Sequence, residues 1–181
     1  MKRAALAVTL LAMSSGVASA GGYVGLGIGT APAISTGTDA DESPDGRSAR
    51  LLLGSRFGQF SVEGALGGFD TVMLDSRGAI AYDVYQASIA AKLSLPLGNN
   101  FEAFGRVGLH QSWWTAERPE HEVGGSGLLF GAGFEYRIKA VLGQGSLFVD
   151  YQYSSADLTG ERSTLGDTSV RMWTLGLTVG I

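Results

Sequence analysis

Residues 172–181, Met172-Trp173-Thr174-Leu175-Gly176-Leu177-Thr178-Val179-Gly180-Ile181, alternate large apolar side chains with smaller ones. Successive side chains of an extended strand point to opposite faces, so a period of two predicts a β-strand with two unlike faces. One face carries Trp173 and aliphatic side chains, whereas the other carries mainly threonine and glycine. The segment therefore predicts a strand that lies between two different environments.

The same alternation recurs in seven further segments, at about 22–30, 49–57, 60–69, 83–95, 101–114, 127–138 and 146–156. The connections between these segments alternate in length. Those at 58–59, 96–100 and 139–145 are short, while those at 31–48, 70–82, 115–126 and 157–167 are long and polar. Short turns at one end and long loops at the other are typical of an up-and-down barrel in an outer membrane. The sequence predicts an all-β fold, an eight-stranded antiparallel transmembrane β-barrel.

A soluble up-and-down barrel is the alternative, because it shows the same alternation with its apolar face turned inward. Its outer face would carry many Lys and Glu side chains, whereas the second face here is mostly Gly, Ala, Ser and Thr. Small side chains fit a narrow lumen, since eight strands enclose an interior just wide enough for side chains to fill. The high glycine content, 28 of 181 residues, agrees with a membrane barrel.

The N-terminal 20 residues have the pattern of a secretory signal peptide. Lys2 and Arg3 precede an apolar run at 4–13, and Ala18-Ser19-Ala20 has the small residues of a cleavage site. We therefore expect residues 1–20 to be removed and 21–181 to form the barrel domain. Without Lys2 and Arg3 the chain has 11 basic and 17 acidic residues, a net charge of −6. This balance disfavours nucleic acid as a partner.

The composition excludes several other classes of protein. The chain has no cysteine, so disulfide scaffolds, thiolate metal sites and lipidated N-terminal cysteines are excluded. No run of about 18 apolar residues predicts a membrane-spanning helix. Two histidines leave little for a metal site, and we expect neither a metal nor a cofactor.

Aromatic side chains are expected at both ends of the predicted strands, as in the interfacial girdles of membrane barrels. If the odd-numbered strands run outward, the periplasmic rim carries Phe57, Phe60, Phe101, Phe134 and Tyr136. The outer rim carries Tyr85, Trp113, Tyr153 and Trp173.

The charged residues divide into two sets. The four long connections, together with Asp83 directly after the second, hold 13 of the 17 acids: Asp39, Asp41, Glu42, Asp45, Asp70, Asp75, Asp83, Glu117, Glu120, Glu122, Asp157, Glu161 and Asp167. The other four, Glu63, Glu102, Glu135 and Asp150, have inward parity, as do Arg50, Arg56, Lys92 and Arg106. Unpaired burial of an ion costs several kcal/mol. We therefore predict an electrically neutral lumen plugged by ion pairs, with a network of Arg56, Glu63, Lys92, Arg106, Glu135 and Asp150. This network either holds the strands in register or gates a narrow water path.

Several short motifs resemble the OmpA-like eight-stranded outer-membrane domain and the related small surface-antigen barrels. Ile89-Ala90-Ala91-Lys92-Leu93-Ser94-Leu95-Pro96 is similar to the fourth strand and turn of that family, which carry an inward lysine. Val62-Glu63-Gly64, Gly105-Arg106-Val107-Gly108 and Gly133-Phe134-Glu135-Tyr136 are similar to strands that supply luminal glutamates and an arginine. The resemblance implies that Glu63, Lys92, Arg106 and Glu135 form the central pairs.

One position departs from the family pattern, and one motif extends it. The inward arginine of the seventh strand is replaced by Phe148, which implies that the gating exchange of the family is absent. The last eight residues are similar to the C-terminal signal read by the barrel-assembly machinery, with Ile181 where Phe is usual. The resemblance implies assembly through this last strand.

Some eight-stranded barrels modify lipid A with a histidine and a serine near the outer rim. The segment around Ser154 superficially resembles the serine-bearing strand of such deacylases, but the expected histidine position is Gln152 or Tyr153. His110 has inward parity and His121 falls in the third long connection, neither at a spacing that pairs it with a serine. We therefore expect no enzymatic activity.

The sequence thus predicts a monomeric outer-membrane barrel of a Gram-negative-type cell. We expect a structural or surface-exposed role through the acidic loops and envelope integrity, with a small gated channel as the alternative. The partners expected are outer-membrane lipid, lipopolysaccharide and the assembly machinery, besides a surface ligand of unknown identity. Arg171, near the outer rim with outward parity, is a candidate contact for a lipopolysaccharide phosphate.

Overall fold

The computed structural model of the chain describes residues 21–30, 32–36, 47–75, 78–116, 121–140, 143–159 and 164–181. These ranges contain nine strands: β1 Gly21–Gly29, β2 Ala33–Thr36, β3 Ser48–Phe57, β4 Phe60–Asp75, β5 Gly78–Pro96, β6 Phe101–Ala116, β7 His121–Ala140, β8 Gly143–Thr159 and β9 Thr164–Gly180. Within them there is no helix long and apolar enough to cross a membrane. The predicted signal peptide lies outside the described residues, as do Asp39, Asp41, Glu42, Asp45, Glu117, Glu120 and Glu161.

The strands close into a barrel in which every neighbouring pair is antiparallel. From β3 to β9 each strand pairs with the next, and β1 lies between β3 and β9, so that Leu26 faces both Leu51 and Leu177. The short β2 continues β1 along β9 after a break at Pro32, which has no N–H to donate. β1 and β2 together occupy one strand position of the barrel, so the barrel has eight strands. The predicted fold class is confirmed.

Side chains alternate between an apolar outer face and a buried lumen, as the period of two predicts. The outer face of the middle of the barrel is exposed and almost entirely apolar, including Leu26, Ile28, Leu51, Val62, Leu66, Ile89, Val107, Leu109, Leu128, Leu147, Leu175 and Leu177. A continuous apolar belt of this kind is a membrane-facing surface rather than a water-facing one.

The strands are longer than the sequence predicts, and three of the four predicted long loops are mostly strand. β4 and β5 pair as far as Asp75 and Gly78, β7 begins at His121, and β8 pairs with β9 beyond Asp157. The prediction of loops at 70–82, 115–126 and 157–167 is therefore wrong.

The physical reason is that the polar and apolar faces of the strands exchange sides beyond the outer aromatic residues. Along β8 the outward positions change from Val149 through Tyr153 to Asp157, while the inward positions change from Asp150 to Leu158. Inside a membrane the outer face must be apolar, whereas outside it the outer face meets water and the interior can be apolar. A run of polar residues therefore resembles a loop in the sequence even though it belongs to the outer face of a strand.

An apolar cluster fills the outer end of the lumen. Its members are Ile34, Phe69, Val84, Trp114, Val123, Ala156, Leu158, Val170 and Met172. Trp114 is 1% exposed, and its indole meets the Phe69 ring edge-on with 6.0 Å between the ring centroids. Strand parity predicts that Trp114, next to the outward Trp113, points inward, but it does not predict the cluster. The outer end of the barrel is therefore closed by packed side chains.

Two glycines make room for a phenyl ring in the lumen. A Cβ on Gly27 would lie 3.3 Å from the Phe148 ring, and a Cβ on Gly176 would overlap both that ring and the Leu26 carbonyl oxygen. Phe148 itself is 4% exposed and packs with Leu52. Part of the glycine excess thus serves close packing of side chains in a narrow barrel.

Candidate functional site

The polar part of the lumen lies below the apolar cluster and is built from alternate residues of several strands. Along β8, Ser146, Asp150, Gln152 and Ser154 all face inward and are buried, because the side chains of a strand repeat every second residue. They bond to residues of β3, β5, β6, β7 and β9. This one strand therefore connects the successive polar layers of the barrel.

Asp150 is the centre of the ion-pair network. It is fully buried and accepts hydrogen bonds from Arg50, with Nη2 to Oδ2 at 2.8 Å, and from Nη2 of Arg106. Arg106 also approaches Glu63, with Nη1 to Oε2 at 3.4 Å. Charge-assisted bonds of this kind offset the cost of burying each ion.

Lys92 lies between two carboxylates on the periplasmic side of Asp150. Its Nζ is 2.7 Å from Oε2 of Glu135 and 3.3 Å from Oε1 of Glu63. The Tyr23 hydroxyl donates to the same Glu63 oxygen at 2.6 Å, and the Ser146 hydroxyl donates to Glu135. Each of these carboxylates is therefore held by a lysine and a hydroxyl group.

Two buried phenyl rings complete the packing around the cations. Lys92 Nζ lies 4.3 Å from the centroid of the Phe104 ring, and the Arg106 guanidinium carbon lies 5.1 Å from it. The Arg50 guanidinium carbon lies 5.8 Å from the Phe148 centroid. Cations are attracted to the faces of aromatic rings, more strongly when both are desolvated. Phe148 thus packs in the lumen beside the Arg50 guanidinium, and Arg50 on β3 supplies a second guanidinium to Asp150.

A second group of charges lies at the mouth of the barrel next to the short turns, the end predicted to face the periplasm. Arg56 and Arg137 both bond to Glu102, with Arg56 Nη2 to Oε2 at 2.9 Å and Arg137 Nη2 to Oε1 at 2.6 Å. The sequence places Arg56 and Glu102 in the lumen but not Arg137. The eight charges predicted for the lumen balance four against four, and Arg137, whose side chain is 42% exposed at the rim, adds one positive charge at the mouth. The inward parity of Arg137, two residues beyond Glu135, is the signal that sequence reasoning missed.

A chain of neutral hydrogen bonds joins the ion pairs to the apolar cluster. Arg50 donates to Gln152 at 2.6 Å, and Gln152 donates to Gln86 at 3.2 Å. The Gln86 amide nitrogen lies 2.9 Å from Nδ1 of His110, whose Nε2 lies 3.1 Å from the Ser155 carbonyl oxygen. This order assigns His110 as a neutral ring that accepts at Nδ1 and donates from Nε2. Sequence parity places Gln86, Gln152 and His110 inward but does not predict that they bond to one another.

The structure brings together five of the six residues of the predicted network. Asp150, Arg106, Glu63, Lys92 and Glu135 form one connected cluster, together with Arg50. Arg56 belongs instead to the group at the mouth.

The aromatic side chains lie in two groups on the outer surface. Phe57 faces Phe60, and Phe101 faces Tyr136, next to the turns at 58–59 and 97–100. At the other end Tyr85 faces Trp113, and Trp173 contacts Tyr151 with ring centroids 5.1 Å apart. Eight of the nine predicted interface residues are exposed, while Tyr153 is half-buried.

Acidic residues lie opposite each other beyond the outer aromatic group. Asp70 faces Asp83 across β4 and β5, and Asp157 faces Asp167 across β8 and β9, all four exposed. Like charges directly opposite in a sheet repel each other. A hydrogen bond with the Asp167 carboxyl, together with its charge, raises the pKa of Asp157. The folded hairpin therefore favours the protonated form of Asp157. As the pH rises through that pKa, the two carboxylates repel each other and the stability of the hairpin falls.

A sequence comparison gives the family. The model of the outer membrane protein β-barrel domain family matches residues 4–180. The chain belongs to this family. No curated protein sequence matches the chain. The family and the apolar belt together place the protein in the outer membrane of a Gram-negative-type cell.

Solved structures of the same fold agree with this assignment. Neisserial surface protein A superposes with a TM-score of 0.71 at 15% identity, covering 88% of this chain and 97% of that one. Ail, the attachment invasion locus protein of Yersinia pestis, crystallised with the heparin analogue sucrose octasulfate, gives a TM-score of 0.62 at 16% identity, covering 90% and 99%. The N-terminal barrel of Pseudomonas aeruginosa OprF gives 0.50 at 13% identity, covering 89% and 99%. At these identities the likeness shows the fold alone.

The described residues contain no group of three or more His, Cys, Asp or Glu side chains that could hold a metal ion.

Proposed function

We propose that this outer-membrane barrel acts at the cell surface through its outer hairpins, with the barrel as a sealed, non-enzymatic anchor. The observation that carries the proposal is that the lumen is closed at two levels. The ion-pair network fills its middle, and the apolar cluster fills its outer end. Two cavities lined by Phe69 measure only about 20 and 10 Å³, each with room for about one water molecule. Because the described part of the barrel has no through passage, the hairpins at its extracellular end are the part available for function.

The outer hairpins are acidic, which favours a cationic partner. Four exposed aspartates lie in two facing pairs, Asp70 with Asp83 and Asp157 with Asp167. The repulsion within each pair is relieved when a cation or a basic surface binds. Ail was crystallised with a sulfated ligand, but a polyanion does not suit the acidic hairpins of this chain. We therefore propose a basic partner, or lipopolysaccharide phosphates bridged through cations.

A fourfold Asp→Asn variant at positions 70, 83, 157 and 167 tests this role. We expect intact cells that display it to bind less fluorescent polylysine than cells with the wild-type barrel, and to be more sensitive to vancomycin. The matched control is a Ser155→Asn, Ser169→Asn variant, which changes a neighbouring facing pair without changing the charge. Unchanged polylysine binding and unchanged sensitivity at equal amounts of folded barrel contradict the proposal.

A small gated channel is the second candidate, favoured by the presence of exchangeable ion pairs around Lys92. The apolar cluster argues against it, because rearranged ion pairs still leave Trp114 and its neighbours across the passage.

Conductance in planar bilayers separates the two candidates. We expect the wild-type barrel and its Lys92→Glu variant to be electrically silent at equal amounts of inserted protein. The control is a Lys92→Glu, Trp114→Ala variant, which weakens both levels of closure and is expected to show openings. Discrete openings in the wild type or in Lys92→Glu alone contradict a sealed anchor and support the gate.

The described residues offer no histidine base for lipid A chemistry. Both ring nitrogens of His110 are engaged, one by Gln86 and one by the Ser155 carbonyl oxygen, and neither contacts a serine hydroxyl. A catalytic base has to reach its nucleophile within hydrogen-bond distance. The side chain of His121 lies outside the described residues. We propose that the protein is not an enzyme.

The remaining partners follow from the fold. The apolar belt contacts outer-membrane lipid. We propose that β9 carries the assembly signal, that the barrel is monomeric, and that Arg171 meets a lipopolysaccharide phosphate. Arg171 lies on the outer face opposite Tyr153 and Ala33, at the level of the outer aromatic group.

A further inference from the structure

The periplasmic mouth of the barrel contains a cavity of about 510 Å³. Volumes of this size hold small organic ligands. The ends of β1, β3, β7, β8 and β9 and the turns at 58–59 and 97–100 surround it. This cavity opens at the end of the barrel opposite the acidic hairpins, so neither the sealed lumen nor the proposed surface role uses it.

The walls of the cavity carry an excess of positive charge. Arg56, Lys92 and Arg137 line it, whereas the acid that bonds both arginines, Glu102, does not. One carboxylate neutralises one of two guanidinium groups. The side chain of Arg137 is 42% exposed and bonds to Glu102 through Nη2, so the rest of its guanidinium faces the cavity and water.

Glu135 is the only acidic side chain among the described residues that line the cavity, and its charge is already compensated. Glu135 bonds to Lys92 at 2.7 Å and accepts from the Ser146 hydroxyl, so its charge is compensated inside the barrel wall. Side-chain amides of Asn99, Asn100 and Gln144 add neutral donors to the rim. An anion entering from the periplasm thus meets two guanidinium groups and several amides.

We propose that this cavity binds a small phosphate-bearing anion from the periplasmic side, with Arg56 and Arg137 as its main contacts. Guanidinium groups match phosphate oxygens in geometry and bind them through paired hydrogen bonds. The anion replaces water on the open side of both arginines, while Glu102 keeps the two groups together. The same chemistry is offered by a soluble phosphate ester and by the headgroup of a phospholipid of the inner leaflet.

Isothermal titration with sodium pyrophosphate, using the purified protein in phosphatidylcholine nanodiscs, tests the proposal. We expect saturable binding that weakens about tenfold in Arg137→Gln, the size expected for the loss of one charge-assisted contact. A second variant, Asn99→Asp, places an uncompensated charge at the rim and is expected to weaken binding without touching the ion pairs. Arg171→Gln is the matched control, because it removes one positive charge at the outer end of the barrel.

The outcomes are distinct. Absence of saturable binding at millimolar pyrophosphate, or equal weakening in Arg137→Gln and Arg171→Gln, overturns the proposal. Nanodiscs with added phosphatidylglycerol then identify the source: unchanged affinity assigns the site to a soluble anion, and competition by the lipid assigns it to a headgroup.

Discussion

Replacing Asp150 by asparagine is expected to destabilise the barrel by about 3–5 kcal/mol, the range for removing one partner of a buried ion pair. The carboxylate is fully buried and compensates both Arg50 and Arg106, so its loss leaves two guanidinium groups short of negative charge in a dry interior. Urea unfolding in lipid vesicles, followed by tryptophan fluorescence, measures the change.

Glu102→Gln is the control for this variant. It also removes a carboxylate shared by two arginines. Because Arg56 and Arg137 at the mouth reach water, this variant is expected to lower the free energy of unfolding by at most about 1 kcal/mol. In addition, the Asp150→Asn, Arg50→Gln double variant is expected to recover part of the loss, because no second uncompensated cation remains. Equal destabilisation by Asp150→Asn and Glu102→Gln contradicts a central role for Asp150.

Introducing tryptophan at Gly176 is expected to prevent assembly of the barrel. A Cβ there already overlaps the Phe148 ring and the Leu26 carbonyl oxygen, and the backbone atom cannot move aside cheaply. Overpacking of a filled interior is strongly destabilising. Electrophoresis without boiling, in which folded barrels migrate differently from unfolded chains, measures the folded fraction.

Gly105→Trp is the matched control, because it adds the same side chain on the outer face. The nearest atom to a Cβ at Gly105 is 3.9 Å away, and the residue is exposed towards lipid. We therefore expect this variant to fold. If Gly176→Trp and Gly105→Trp fold equally well, the lumen is not filled as the structure describes.

The period of two predicts the barrel and the inward charges, because each inward residue is set by strand parity alone. Pairing of residues distant in sequence requires the barrel geometry, which places Arg50 of β3 against Asp150 of β8. Strand parity does not predict the outer apolar cluster for a related reason. Leu158 and Val170 are inward apolar residues that follow outward polar ones. The apolar face points inward here because this part of the strand lies outside the membrane. The position of the membrane boundary, rather than the strand period, was therefore the missing information.

The orientation of the sealed barrel, with its aspartate hairpins outside, is tested most directly by cysteine labelling of intact cells. The chain has no native cysteine, so single substitutions report one site each. A membrane-impermeant maleimide is expected to label Asp157→Cys on intact cells, and to label Asn99→Cys, at the periplasmic turn, only after the outer membrane is permeabilised. Labelling of Asn99→Cys but not Asp157→Cys on intact cells contradicts the account.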